Sequence, residues 1–279
     1  MLLFKKNKKN KLGVTYSLFS GEELLEYSIK SIRNQVDYIN VVYQEYSWMG
    51  EQANDNVLDI LEDLKHKNLI DNIILFKFKP QKKDLPILVL KKKQLGIDDL
   101  LKNNCTHSLL MDVDEFYKED EFIEAKNYIY SNNITHSCCP IYDYKKSPIY
   151  RTRYIRNYSV PFITQINKKT KLAVNHDLPC HVDSLRAIKY NQQKDKFYYF
   201  TNIAMHHMTG FRKDFDKKIN NSITNSSKEG RDFIQKFKKE HEKILHFDEP
   251  LPDVDYNYIY ENDYWNLEKI TNEWQIMGG

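Results

Sequence analysis

Residues 106–116 read Thr106-His107-Ser108-Leu109-Leu110-Met111-Asp112-Val113-Asp114-Glu115-Phe116, an apolar run that ends in two carboxylates one residue apart with a third directly behind. The run reads as a strand. Upstream of it, residues 11–19 and 38–44 are apolar and β-prone and residues 72–78 form a third such run. Between them, 24–32, 53–67 and 86–101 carry apolar residues at helical spacing, with Ser20 placed to cap the first helix and Pro86 to open the third. Strands alternating with helices of this length imply right-handed crossovers and a mostly parallel sheet with helices on both faces. In such sheets ligands collect at the carboxyl ends of the strands, where Asp112, Asp114 and Glu115 fall.

After a helix over 119–130 the rhythm changes. Residues 135–142, 149–157, 161–166, 196–200 and 202–208 are strand-like without helical crossovers, which predicts antiparallel or mixed additions to the same sheet. Residues 211–219 and 232–245 read as helices, and 250–252 open an aromatic, acidic tail. The chain reads as one unit at 1–228, in two halves at 1–131 and 132–228 that differ in rhythm, followed by a helical extension at 229–279.

Composition narrows the chemistry. Eight glycines in 279 residues, and no GxGxxG or GKS/GKT, remove the two common glycine-rich phosphate cradles. A net charge of +3 speaks against bulk electrostatic binding of nucleic acid. Apolar runs fall far short of the ~20 residues that span a bilayer, and in MLLFKKNKKNK the apolar residues precede the charges, unlike a signal peptide. Four cysteines without a CxxC point to no disulfide or zinc framework, so a reducing cytoplasm is expected.

A D-x-D at a strand end suits Mg²⁺ or Mn²⁺, whose preferred ligands are carboxylate oxygens and which leave positions open for substrate phosphates. An EF-hand starting at Asp112 fails, because Phe116, Tyr117 and Ile123 stand where it needs Asp or Asn, Gly and Glu. A phosphatase of the haloacid dehalogenase type fails at Phe116. An acidic loop capping the helix from Glu119 is the plain alternative.

The wider pattern resembles family-2-like bacterial glycosyltransferases with the GT-A fold, which have the mostly parallel mixed sheet read above. Residues 18–35, LFSGEELLEYSIKSIRNQ, follow that family's first turn and helix, and Lys93-Gln94-Leu95-Gly96 stands where it carries Arg-Asn-x-Gly ahead of the D-x-D. The resemblance covers about residues 12–131. It implies a nucleoside diphosphate sugar as donor, UDP favoured, and Mn²⁺ or Mg²⁺ as cofactor. It places Asp112 at the ribose or metal, Asp114 on the metal, Lys93 near the nucleotide and Tyr16 in the base pocket. The family's Asp-Asp-Gly-Ser at the second strand is replaced by Tyr43-Gln44-Glu45-Tyr46-Ser47, which leaves Gln44 to contact the base. A late-strand histidine is implied as third metal ligand; alternation sends His206 and His207 to opposite faces, and His207 is chosen beside the basic Arg212-Lys213, which would meet the diphosphate. For the acceptor's proton Asp183 is the first candidate, with Asp177 and Asp143 behind it.

Arg151 and Arg153, interleaved with Tyr150, Tyr154 and Tyr158, are candidate acceptor contacts, or a stacking surface in a non-catalytic carbohydrate- or nucleic-acid-binding module. His241 and His246 are five apart, so they do not share the face a metalloprotease helix needs. The basic helix around them allows peripheral membrane contact. The expected partners are the nucleotide sugar and a glycan or glycolipid acceptor such as capsule or lipooligosaccharide, with no nucleic acid, at the inner face of the cytoplasmic membrane. The other enzyme reading is a nucleotidyl- or phospho-group transferase on the same platform.

Overall fold

The computed structural model describes residues 9–79, 84–145, 147–243 and 258–270. Strands β1 (Leu12–Leu18), β2 (Tyr38–Tyr43), β3 (Asn72–Leu75) and β4 (His107–Asp112) alternate with helices α1 (Glu22–Ile32), α2 (Val57–His66) and α3 (Leu85–Lys102). They form a sheet in the order β3-β2-β1-β4 in which every one of these pairs is parallel. The α/β alternation read from the sequence is therefore the architecture of the first half. Val14, Tyr16, Leu18, Val41, Leu109 and Met111 are buried in the main core with Leu25, Ile29 and Ile32 of α1 and Leu61 and Leu64 of α2. Gly96 lets α3 lie close on β1, since a Cβ there would stand 2.1 Å from Thr15 Cγ2. Ser20 does not cap α1: Gly21 holds that position at φ 88°, without a side-chain cap, and the Ser20 carbonyl has another partner described below.

Immediately after β4 the chain turns at Val113-Asp114 into β5 (Glu115–Phe116), then α4 (Glu119–Asn132). The expected strand over 135–142 is two strands, β6 (His136–Cys139) and β7 (Ile141–Lys145), which lie in different sheets. Pro140, with no N–H to offer a ladder, separates them. The expected strand over 149–157 stops early: β8 spans only Tyr150–Thr152. Short strands β9 (Val160–Pro161), β10 (Thr164–Gln165), β11 (Phe197–Tyr199) and β12 (Met205–Gly210) follow, with β10 antiparallel on β4, β9 antiparallel on β6 and β11 parallel to it. The third sheet runs β13-β8-β7-β12-β5, where β13 is Tyr258–Tyr260. Helix α5 is confined to Phe215–Asn220, leaving residues 211–214 as a loop, and α6 spans Lys228–Lys243. The tail does more than extend the fold, because Leu267 and Ile270 are buried against Leu24, Phe116, Met208 and Phe211. Residues 1–8, 244–257, including His246 and 250–252, and 271–279 lie outside the described residues.

Candidate active site

A cleft of 710 Å³ opens where β1 and β4 end, lined by Ser17 and Asp112 from the strands, Lys92 and Lys93 from α3, Trp48, residues 181–185 and Arg212 and Lys218. Register explains the meeting at its floor, since Ser17 of β1 pairs with Asp112 of β4. Four lining cations, Lys92, Lys93, Arg212 and Lys218, face two lining carboxylates, Asp112 and Asp183. Such a surface attracts an anion.

Asp112 keeps 31% of its side chain exposed, with Arg186 Nη2 3.1 Å from Oδ2 and Lys93 Nζ 3.8 Å from Oδ1. Burial alone would raise its carboxyl, but Lys93 and Arg186 outweigh that and hold it below the usual carboxylate range. Asp114 is fully buried one turn further on. Its Oδ2 receives Arg212 Nη2 at 2.6 Å and Lys218 Nζ at 3.4 Å, with His207 Nε2 also at 3.4 Å. These partners come together because β5 pairs with β12, placing His207 opposite Glu115 and joining Met208 N–H to the Asp114 carbonyl at 2.7 Å. Arg212 is seated by a second contact, Nη1 to the Ser20 carbonyl at 2.9 Å. Glycine at 21 is what permits that seat, because a Cβ there would lie 2.2 Å from Arg212 Nη1.

The two histidines of β12 part as alternation requires. His206 faces away, its Nδ1 2.8 Å from the Tyr144 hydroxyl, which also donates to Glu261 at 2.9 Å. His207 lies between Asp114 and Asp143, the latter 2.9 Å from Nδ1. Burial would depress His207, yet the two carboxylates carry it above the ordinary histidine value. Asp143 is itself gripped by the Arg156 guanidinium.

These residues can be tested as a site for a divalent cation. Asp114 Oδ1 is buried without a hydrogen-bond partner, and the imidazole beside it is oriented by a carboxylate on its other nitrogen, the arrangement metal-ligating histidines use. Asp114, through the oxygen not held by Arg212 and Lys218, and His207 would be the two residues to hold a hard divalent ion here. Among the described residues no group of three or more His, Cys, Asp and Glu side chains is gathered closely enough to hold a metal ion; Asp112, the expected third ligand, is paired with Arg186 and Lys93 instead.

The other expected residues divide. Lys93 lines the cleft, as does Gln44, whose amide is committed internally: Nε2 donates to the Tyr46 carbonyl at 2.7 Å and Oε1 accepts from Lys92 Nζ at 3.0 Å. Asp183 also lines it, tied to Arg186 Nε at 2.7 Å, and that guanidinium together with Lys93 overcomes burial to hold it below the ordinary carboxylate value. Tyr16 does not reach the cleft; it is a core residue whose hydroxyl lies 3.0 Å from Ser28 Oγ, because strand alternation gives the cleft to Ser17. Lys213 is exposed, and it is its backbone N–H that is used, donating to Glu23 Oε1 at 3.0 Å; the cation that lines the cleft from this segment is Lys218, one turn into α5. Arg151 is bound to Glu261 at 2.7 Å and stacked 3.9 Å from the Tyr142 ring, outside the cleft, and Arg153 is exposed beyond the end of β8. Asp177 pairs with Lys189 at the surface, and Asp143 is occupied by Arg156 and His207.

Sequence reasoning missed Lys92, Arg156, Arg186 and Lys218. One signal was available for the arginines: the chain has only seven, against 35 lysines, and Arg156, Arg186 and Arg212 all converge here, where a planar fork of donors matches carboxylates as lysine cannot. Lys92 is buried with Nζ 2.8 Å from the Leu18 carbonyl, and burial pushes it down to about 7.

No protein-family model matches the chain, and no curated protein matches it. Solved structures similar to it include S. aureus TarS, 11% identical over 85% of this chain and 44% of that one at a TM-score of 0.41. A complex of TarS residues 1–349 with UDP is 16% identical over 49% of this chain and 36% of that one at 0.32. The mannosyltransferase PcManGT of Pyrobaculum calidifontis with GDP-Man and Mn²⁺ is 12% identical over 50% and 36% at 0.31. This chain spans less than half of each, and likeness at that level carries no argument about activity. Among the described residues no helix is long and apolar enough to cross a membrane.

Proposed function

We propose that this protein is a glycosyltransferase that moves a sugar from a nucleoside diphosphate sugar, UDP favoured, to a hydroxyl of a surface glycan such as capsule or lipooligosaccharide. The observation that supports the reading is the cleft itself: a 710 Å³ space at the end of β4 lined by Asp112 together with Lys93, Arg212 and Lys218, with Asp114 buried behind it in contact with Arg212 and Lys218. Asp112 accepts hydrogen bonds from the ribose. Lys93, Arg212 and Lys218 take the diphosphate, so the leaving group's growing charge meets cations already in place. Asp114 and His207 would hold Mn²⁺ or Mg²⁺, which supplies Lewis-acid stabilisation of the departing diphosphate. Asp183, ionised on the cleft wall, accepts the acceptor hydroxyl's proton; that oxygen bonds to the anomeric carbon as the bond from that carbon to the phosphate oxygen breaks, and its electron pair leaves with the nucleoside diphosphate.

Mn²⁺-dependent release of UDP or GDP from a panel of nucleotide sugars, abolished by Asp114→Ala, is the expected result. Failure of every nucleoside diphosphate to stabilise the protein in a thermal-shift screen with Mn²⁺ would sink the reading. A nucleotidyl transferase on the same platform would release pyrophosphate instead. A non-catalytic binding module using the exposed Arg153 and Tyr154 would instead lose affinity when either is changed and keep it in Asp114→Ala.

A further inference from the structure

We propose that Arg186 is a positioning residue for donor binding, acting through Asp112; this rests on the nucleotide-sugar reading above. Arg186 is buried in the short 3-10 turn Ser184–Arg186. Its two terminal nitrogens each donate to Glu115 at 2.7 Å. Nη2 also donates to Asp112 Oδ2 at 3.1 Å and Nη1 to the Leu110 carbonyl at 3.4 Å, while Nε donates to Asp183 at 2.7 Å. All five N–H groups of the guanidinium are thereby used.

The arrangement has a directional consequence for Asp112. Glu115 accepts the Asp112 backbone N–H at 2.9 Å, so the two carboxylates are held close and would repel one another without the cation between them. With Arg186 on Oδ2, Oδ1 is left toward Lys93 and the cleft. Three carboxylates share one guanidinium, and a lysine with three N–H groups on a single nitrogen cannot span them. Arg186 does not line the cleft, so its influence on a nucleotide passes through Asp112.

The test is a double-mutant cycle on the full chain, reading UDP affinity and binding stoichiometry by calorimetry with Mn²⁺ present. Arg186→Met is expected to weaken UDP binding about 10-fold or more, the cost of a misplaced charge-assisted hydrogen bond. In an Asp112→Asn background the same change is expected to add less than about twofold, since neighbours acting through one contact are not additive. Arg186→Lys should recover only part of the loss, and it is read in the same cycle should Arg186→Met not fold. A merely structural role would lower the fraction of protein able to bind and leave affinity unchanged; that result, or effects that add in the double mutant, overturns the proposal while the nucleotide-sugar reading stands. No UDP binding by the unaltered protein, together with none for other nucleoside diphosphates, overturns both.

Discussion

The parallel half and the mixed half of this molecule share one apolar core, to which the second adds Ile141, Phe162, Ile163 and Met205, but they differ in how much buried charge they carry beside it. In the first, β1, β2 and β4 bury Val14, Val41 and Leu109 between α1 and the rest of the core, and stability comes from apolar area removed from water. In the second, where strands run only two to six residues, His207 on β12 and Arg156, Arg186 and Arg212 on the loops and the short turn between elements meet buried carboxylates. Burying a charge is costly unless it is paired, so this half is organised around mutual neutralisation at the cleft. The first half is a scaffold whose loss is felt everywhere, whereas the second is a charge arrangement that a ligand can relieve.

Asp114→Ala should produce the largest effect. It strips the carboxylate from Arg212, Lys218 and His207, and leaving buried charge unpaired costs about 3–5 kcal/mol. Because an added anion can take over those cations, pyrophosphate should raise the melting temperature of the variant more than that of the unaltered protein; an equal shift in both would break the comparison. Ile29→Ala, fully buried on α1, should cost about 2–5 kcal/mol in chemical denaturation, with no recovery by pyrophosphate.

A pH dependence follows from Lys92. Its folded-state pKa is lowered to about 7 by burial while the unfolded chain keeps an ordinary lysine near 10.4. Between those values the unfolded state binds more protons, so this group's contribution to stability is lowest below pH 7 and rises with pH through that window by a few kcal/mol. Lys92→Met should flatten that rise in urea titrations run from pH 6 to 10; an unchanged slope would show that the lysine stays charged when folded. The smallest effect belongs to Lys213→Ala. The side chain is exposed and its backbone N–H makes the contact, so stability should move by less than about 0.5 kcal/mol and UDP affinity by less than twofold. A larger loss of affinity would restore Lys213 to the diphosphate site in place of Lys218.

How much was legible follows the same division. Helical spacing located α1, α2 and α3, and apolar runs located β1, β2 and β4, which are buried along almost their whole length; β3, expected over 72–78, is confined to Asn72–Leu75 and only half-buried. The shorter strands carried no such signal: nothing local shows that Pro140 splits one apolar run between two sheets, or that the Tyr-Arg alternation after Tyr150 ends at Thr152. At the site, Asp112 and Asp114 were legible from their strand-end position, whereas Lys93, Arg212 and a late-strand histidine came from the family resemblance, alternation then separating His207 from His206. Tyr16 was misplaced by one residue of that alternation. Lys92, Arg156 and Arg186 were missed because each is held in place by partners distant along the chain, Gln44, Asp143 and the Leu110 carbonyl lying 48, 13 and 76 residues away.

By itself, then, the sequence determined a mostly parallel α/β core with a carboxylate cluster at the end of a central strand, since apolar periodicity and strand-end chemistry are local properties. The tertiary structure alone decided which cation meets which carboxylate. Pairing of β5 with β12 set Asp114 beside His207, and the turn at Ser184–Arg186 set one guanidinium among Asp112, Glu115 and Asp183. The physical reason is that burial makes an unpaired charge expensive, and the partner that satisfies it is chosen by proximity in space, which no local pattern records.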